Sequence, residues 1–385
     1  MRHRAPQGIS RFEKLDEVSS KAGAISLQPR RLFHVSIKHK PSELADAHAY
    51  AIAIRNLRKV GKWKEAVELL PIMLAKGIKP DVQVFNVTIS ALADGCQWQQ
   101  ALQIHNDMQQ LHGVHPNAIT YNAAIAACGN GKQWQKALQL LEEMRTHGLQ
   151  PDVLTYTATI AACGKCGQWQ HALTLLTQMS AQGLQPNVNT YSVCMTACGN
   201  GGQWEKALQI MEEMQEQGLL PSIITYNAAI TACGKAGQWQ KVLQLVEEMR
   251  AQGLNPDVIT YNTAITACGI RGQWEKALQV MEEMVLQGVL PNSITYSAAI
   301  TACGKAGQFH KVVQLLEEMP TRGLGHCAAV FAAAIAVCGK DGQEGNVERI
   351  RAMQIARAES MQARCVLFAC NAVSVYTCNP CKSGV

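Results

Sequence analysis

The chain has 385 residues, of which 48% are apolar and 17% are charged, a balance typical of an ordered protein rather than a disordered one. Its formal net charge of +6 is unevenly placed, because residues 1–60 carry +7 and residues 61–385 carry −1. This near-neutrality excludes nucleic-acid binding that depends mainly on bulk charge, and no run of eighteen apolar residues is present to span a membrane.

Residues 1–46 lack the periodicity of the remaining chain and are basic. Arg and Ser are present, as an organelle transit peptide requires, but Glu13, Asp16 and Glu17 depart from the acid-poor composition of such peptides. A poorly ordered basic segment and a transit peptide therefore remain alternative interpretations.

A fixed period begins at residue 47. Tryptophan recurs in steps of 35 residues, with one step of 36, at 63, 98, 134, 169, 204, 239 and 274, and Phe309 continues the series. Such a period predicts stacked supersecondary units rather than one globular core. We count eight whole repeats, followed by a degenerate capping repeat at 328–362 and a Cys-rich tail at 363–385; the whole repeats are 47–81, 82–117, 118–152, 153–187, 188–222, 223–257, 258–292 and 293–327.

Each repeat predicts two helices. In residues 223–257 the first helix is expected to extend to Cys233, with Gly234 and Gly237 breaking it. An apolar stripe at helical spacing from Trp239 to Met249 then predicts the second helix. Because neither helix can bury its apolar face alone, neighbouring repeats must stack.

The tryptophan, methionine and cysteine that recur once per repeat are interpreted as packing residues. One cysteine per repeat on the same helical face is typical of a small apolar residue at a close helix crossing, and it argues against a disulfide framework. Free cysteines also favour a reducing compartment, although this argument is weaker than the one against disulfides.

The repeat resembles the pentatricopeptide repeat in its opening VITYN (Val258 to Asn262), in the EEM of the second helix (Glu247 to Met249) and in its closing GLNPD (Gly253 to Asp257). The resemblance covers residues 47–327, although the tryptophan at every turn and the ACG phrase depart from the commonest family sequences. It implies an all-α fold, a right-handed α-solenoid of tandem helix-turn-helix repeats.

The resemblance also implies a function. Members of that family are mostly organellar proteins that bind single-stranded RNA, one base per repeat, in RNA processing, stabilisation or translation. It follows that this chain is expected to act as a monomer in a chloroplast or mitochondrion, with RNA-processing proteins as further partners. The near-neutral charge of residues 61–385 keeps open an alternative, a protein-interaction scaffold that holds a peptide on the same face.

By the family pattern, the fifth and last residues of a repeat read the edge of one base. The reading pairs here are Asn86 with Asn117, Asn122 with Asp152, Thr157 with Asn187, Ser192 with Ser222, Asn227 with Asp257, and Asn262 with Asn292, and the eighth repeat contributes Ser297. The family's pairing rule then predicts 5′-C-U-A-N-U-C-3′ from the second repeat onward, with C and U partly interchangeable. Ala51 in the first repeat and Cys327 in the eighth permit no assignment.

Two further sets complete the expected site. The second residue of a repeat is expected to wedge between neighbouring bases; these residues are Ile119, Leu154, Ile224, Ile259 and Ile294, with Gln83 and Asn189 as weaker versions. Phosphates are expected to meet the lysines that end the first helix, which are Lys165, Lys235 and Lys305.

Helix capping is the structural alternative for the reading pairs, because Asn and Ser in a first turn often bond backbone N–H groups and Pro-Asp is an ordinary turn. Internal variation favours base reading, since the fifth residue changes among Asn, Thr and Ser from Asn122 to Ser297 while the preceding Thr and Tyr hardly change.

No catalytic constellation is found in the sequence. Cys378 and Cys381 form a C-x-x-C motif downstream of Cys365 and Cys370, but the chain has no H-x-E motif for a zinc-dependent deaminase. Unpaired thiols are favoured over a structural zinc site because C-x4-C is not a common ligand spacing. With no phosphate-binding loop and no aspartate cluster, we expect no enzyme activity, no metal and no cofactor.

Overall fold

The computed structural model describes residues 44, 46–321, 324, 328–340, 345 and 347–355. Most of the basic amino-terminal segment, Cys327 and the Cys-rich tail at 363–385 therefore lie outside the described residues, and the predictions made for them stay predictions.

All regular structure in the described part of the chain is α-helical, and each named helix has thirteen residues. The first helices of successive repeats are α1 (Ala47–Lys59), α3 (Val82–Asp94), α5 (Ala118–Asn130), α7 (Val153–Lys165), α9 (Val188–Asn200), α11 (Ile223–Lys235), α13 (Val258–Ile270), α15 (Ser293–Lys305) and α17 (Ala328–Lys340). The second helices are α2 (Trp63–Ala75), α4 (Trp98–Gln110), α6 (Trp134–Thr146), α8 (Trp169–Ala181), α10 (Trp204–Glu216), α12 (Trp239–Ala251), α14 (Trp274–Leu286) and α16 (Phe309–Thr321). Residues 347–355 are also helical.

The helices pack in two layers. Each first helix contacts the second helix of its own repeat and the first helix of the next repeat. The tyrosine of the first helix and the methionine of the second are fully buried in repeat after repeat, as Tyr261 and Met284 illustrate. This arrangement confirms the prediction of an all-α solenoid of tandem helix-turn-helix repeats.

The glycines of the repeat have two different roles, which corrects one expectation. Gly237 has φ +70° and forms the turn between the two helices, as predicted. Gly234, however, does not break the first helix, because α11 continues to Lys235. A Cβ on Gly234 would lie 2.8 Å from Thr263 Cγ2 of the next repeat, so this glycine permits close approach of neighbouring first helices.

The cysteines behave as packing residues. The repeated Cys128, Cys163, Cys198, Cys233, Cys268 and Cys303 are fully buried free thiols. Burial raises the pKa of Cys163 to about 12 and that of Cys233 to about 11, so neither is a reactive thiolate at neutral pH.

The tryptophans are half-buried rather than core residues. A Cβ on Gly131 would lie 2.2 Å from Trp98 Cδ1, which places that indole over the turn of the following repeat. The tryptophan therefore covers the inter-repeat turn, while the methionine fills the core.

No helix in the described ranges combines the length and the apolar character that crossing a bilayer requires.

Candidate nucleic-acid interface

The first-helix layer exposes a regular column of aliphatic side chains, which we call the aliphatic column. It consists of the expected wedge residues, whose exposed fractions are 62% at Ile119, 61% at Leu154, 67% at Ile224, 60% at Ile259 and 66% at Ile294. Gln83 and Asn189 continue the column and are exposed as well. Aliphatic side chains left open once per repeat on one face are typical of a binding surface rather than of core packing.

The last residue of each repeat caps the first helix of the next one. Asp81, Asn117, Asp152, Asn187, Ser222, Asp257 and Asn292 each accept a hydrogen bond from the backbone N–H of the third residue in the following helix. Capping thus occupies one side-chain oxygen of each residue. In the Asp and Asn residues of this set, the second polar atom, an Asp Oδ2 or an Asn Nδ2, is not used by the cap.

The fifth residues do not cap a helix end. Asn227 Oδ1 accepts a hydrogen bond from the Thr260 hydroxyl at 2.6 Å, and Asn227 Nδ2 lies 3.2 Å from both carboxylate oxygens of Asp257. Asn86 Nδ2 likewise lies 3.3 Å from Asn117 Oδ1. The structure therefore brings the fifth and last residues of these repeats into direct contact.

Three of the base-reading fifth residues are buried, and Asn86 is one of them, with 7% of the residue exposed. Thr157 is 6% exposed and Ser192 is 2% exposed, and their hydroxyls donate to Val153 O and Val188 O at 2.7 Å. Because a hydroxyl has one proton, these two side chains can act towards a ligand only as acceptors.

The third repeat holds an ionised carboxylate at its last position. Burial by itself would raise the pKa of Asp152, but hydrogen bonds from the Thr155 backbone, the Thr155 hydroxyl and the Asn122 amide lower it overall. Among the described residues, Asn122 Oδ1 is a buried oxygen without a hydrogen-bond partner.

The expected phosphate lysines lie on the same layer. Lys165 and Lys235 are exposed and donate to Asn130 Oδ1 and Asn200 Oδ1 of the preceding repeats, both at 2.5 Å. Lys305 borders a groove of about 330 Å³ between α13 and α15. The wedge residue Ile294 and the fifth residue Ser297 line the same groove. This groove is thus lined by one expected wedge residue, one expected base-reading residue and one expected phosphate-binding lysine.

A threonine set was not assigned from the sequence. The third residues of six consecutive first helices, Thr120, Thr155, Thr190, Thr225, Thr260 and Thr295, are fully buried beside the reading pairs. Their near-invariance between repeats was visible in the sequence, but their contacts to residues more than thirty positions away were not. Across the described residues, no group of three or more His, Cys, Asp or Glu is arranged to hold a metal ion.

Comparison with known proteins gives a family. The family model described as the pentacotripeptide-repeat region of PRORP matches residues 37–207, 76–244 and 160–329. No curated protein matches the chain.

Several solved structures are similar to the chain. The pentatricopeptide repeat protein PPR10 in complex with an 18-nucleotide psaJ RNA element is 26% identical, with a TM-score of 0.41, and the match covers 83% of this chain and 50% of that one. PPR10 from maize is 19% identical, with a TM-score of 0.35 and coverages of 92% and 61%. The PPR domain of Arabidopsis thaliana PRORP1 in complex with tRNA is 19% identical, with a TM-score of 0.40 and coverages of 49% and 95%. The chain spans about half the length of PPR10 in the first of these complexes.

Proposed function

Since this chain belongs to the pentatricopeptide repeat family, we propose that it binds single-stranded RNA along its first-helix layer, one base per repeat. The observation that supports this proposal most directly is the contact between the varied fifth residue and the last residue of a repeat, beside an aliphatic column that stays exposed. A base of the RNA would lie against the aliphatic side chains of neighbouring repeats and present its edge to the reading pair.

The sixth repeat offers groups complementary to uracil. Asp257 Oδ1 accepts a hydrogen bond from the Thr260 backbone N–H, whereas among the described residues Oδ2 meets only the Asn227 amide. This leaves an acceptor for the N3–H of uracil and an amide N–H for its O4. Cytosine has an unprotonated N3, which the carboxylate would repel.

The last residue of the seventh repeat offers a hydrogen-bond donor where the last residue of the sixth repeat offers an acceptor. Asn292 Oδ1 accepts hydrogen bonds from the N–H groups of Ile294 and Thr295 and from the Thr295 hydroxyl. Its Nδ2 therefore faces away from the helix and supplies a donor suited to cytosine N3. The exchange of Asp for Asn at the last position thus gives a physical reason for U in one repeat and C in the next.

Charge contributes little to this binding. Residues 61–385 carry −1 overall, and the proposed phosphate contacts are Lys165, Lys235 and Lys305. Three such contacts on a single strand imply a salt slope of about −2 in log K against log[salt], since the slope is roughly −0.7 per phosphate. Stacking and hydrogen bonding would then supply most of the affinity.

We further propose that the protein acts in RNA processing, stabilisation or translation within a chloroplast or mitochondrion, as a monomer that recruits RNA-processing proteins. The family membership supports this proposal, and import of a reporter fused to residues 1–46 tests its localisation.

A gel-shift comparison tests base reading. RNA containing CUANUC is expected to bind more tightly than a scrambled sequence at about 150 mM salt, where charge contacts are weakened. The double variant Asn227→Thr with Asp257→Asn is expected to move the preferred fifth base from U towards A. Equal binding of matched and scrambled RNA would defeat the proposal.

A protein-interaction scaffold is the second candidate, because an exposed aliphatic column on a near-neutral surface also suits an apolar peptide. Partner capture that survives ribonuclease treatment and is lost when Ile224 and Ile259 are changed to Asp would favour the scaffold.

A further inference from the structure

Behind the reading pairs runs a line of buried hydroxyl groups, which we call the threonine line: Thr120, Thr155, Thr190, Thr225, Thr260 and Thr295. Each belongs to the repeat that follows the pair it contacts. Thr260 Oγ1, for example, lies 2.6 Å from Asn227 Oδ1 and 3.0 Å from Asp257 Oδ1. One hydroxyl therefore touches both members of the sixth reading pair.

The same geometry recurs along the solenoid. The Thr120 hydroxyl lies 2.6 Å from Asn86 Oδ1, and the Thr295 hydroxyl lies 2.7 Å from Asn262 Oδ1. Thr190 and Thr225 contact the hydroxyls of Thr157 and Ser192 at 2.8 and 3.1 Å. The Thr155 hydroxyl departs from this pattern, because it donates to Asp152 at 2.8 Å and no bond joins it to Asn122 in the described part.

Each threonine hydroxyl has one proton, and at Thr260 the distances indicate that it is donated to the fifth residue of the preceding repeat. At Thr260 the contact to the Asn227 oxygen is 0.4 Å shorter than the contact to the Asp257 oxygen. The threonine thus donates chiefly to the asparagine oxygen, which turns the amide so that Nδ2 points towards Asp257 and the open face. Rotation of the amide by 180° would place two acceptors, Asn227 Oδ1 and an Asp257 oxygen, against each other.

Packing does not explain the hydroxyl. Val84 and Val330 occupy the same third position in their repeats and are fully buried. An apolar residue of equal size is therefore accommodated, and a buried hydroxyl is unfavourable unless it is hydrogen-bonded.

Helix capping does not require the hydroxyl either. Five of the six threonines, all but Thr190, complete capping boxes, as when Asp257 N–H donates to Thr260 Oγ1 at 3.2 Å. Yet the second repeat, with valine at this position, is still capped through the bond from Val84 N–H to Asp81 Oδ1 at 2.9 Å.

The two valines also follow the two repeats that permit no base assignment. Val84 follows the pair Ala51 and Asp81, and Val330 follows the repeat that ends at Cys327. Every repeat with an assigned or polar pair, from the second to the seventh, is followed by threonine. The hydroxyl therefore accompanies a reading pair within this chain.

We propose that the threonine line consists of positioning residues for base selection: at every member except Thr155, the hydroxyl fixes the fifth side chain of the preceding repeat in the orientation that reads the base. This inference rests on the proposed RNA-binding function and assigns each base to a pair plus one residue of the next repeat. A positioned donor does not have to be ordered when the RNA binds, which favours selectivity.

The test measures base preference at one position. For RNAs that differ only in the fifth base of CUANUC, Thr260→Val is expected to reduce the preference for U over A by about two- to tenfold, the range that one net hydrogen bond supports. Base preferences at the other positions of the RNA should not change. Thr260→Ser, which keeps the hydroxyl, should keep the preference for U that Thr260→Val loses.

Thr159→Val is the matched control. Thr159 is also fully buried, but its hydroxyl donates only to Thr155 O, within its own helix, at 2.9 Å. This variant is expected to leave base preference intact. A uniform loss of affinity for all RNAs in Thr260→Val, with the preference kept, would show a structural role alone and overturn the inference.

A measurement without RNA separates the inference from the proposed function. In ¹⁵N relaxation of the free protein, the Asn227 side-chain amide should be ordered in the wild type and mobile in Thr260→Val; equal order in both would overturn the positioning role. A wild type without any base preference would defeat the proposed function and the selectivity assigned to the line. A preference that survives Thr260→Val would defeat the inference alone.

Discussion

Truncation of a side chain in the exposed aliphatic column should lower the affinity for RNA without lowering the stability of the protein. Ile259 is 60% exposed in the seventh repeat, so RNA can newly cover at most that fraction of its side chain. Full burial of an isoleucine is worth about 1.5–3 kcal/mol, which leaves about 1–2 kcal/mol for the contact with RNA. Ile259→Ala keeps the Cβ and should therefore lose about 1 kcal/mol of binding free energy, roughly fivefold in Kd.

Fluorescence anisotropy with labelled CUANUC RNA measures this change. Stacking is tolerant of sequence, so Ile259→Ala should weaken matched and scrambled RNA by the same factor, unlike variants of the reading pairs. Leu286→Ala is the matched control, because Leu286 is 77% exposed in the same repeat but lies at the end of the second helix. Equal losses in the two variants, or an unchanged Kd in Ile259→Ala, would refute the proposed place of the RNA.

Three further predictions concern folding. Gly199→Ala places a Cβ 2.9 Å from Ala232 Cα, and overpacking of about 1–3 kcal/mol should outweigh a gain in helix propensity of about 1 kcal/mol; a thermal midpoint above that of the wild type would contradict the close crossing. Lys132 has φ +57° where most other repeats have glycine, so Lys132→Gly should raise the free energy of unfolding by about 1 kcal/mol in urea titrations, and a decrease would argue against backbone strain. Burial lowers the pKa of His105 despite the opposing effects of Asn106 and Glu143, so the unfolded chain binds a proton at this histidine below about pH 6.5 more readily than the folded protein does. The free energy of unfolding should therefore fall on acidification less steeply in His105→Gln than in the wild type. Parallel profiles of stability against pH in the two proteins would exclude this linkage.

The repeating columns made the fold predictable. A 35-residue step, an apolar stripe from Trp239 to Met249 and a glycine after each helix specify a helical hairpin that must stack. The prediction that Gly234 breaks the first helix was wrong, because a glycine at a helix crossing and a glycine in a turn look alike in the sequence. Gly234 is distinguished as a glycine at a helix crossing by Thr263 of the next repeat, which would lie within 3 Å of a Cβ at position 234.

The candidate site was predicted only in part. The family pattern placed Asn227 and Asp257 in one pair, and the structure shows them in contact. Their bond to Thr260 was beyond sequence reasoning, since it joins residues 33 positions apart through a hydroxyl whose neighbours are set by packing. The burial of Thr157 and Ser192 was equally hidden, because both hydroxyls bond their own helix rather than solvent.

A structure of the protein with bound CUANUC RNA tests the central proposal most directly. We expect successive bases on successive first helices, with the second U between Ile224 and Ile259 and its Watson–Crick edge at Asn227 and Asp257. RNA that lies along the second helices, or that passes more than one base per repeat, would contradict the account.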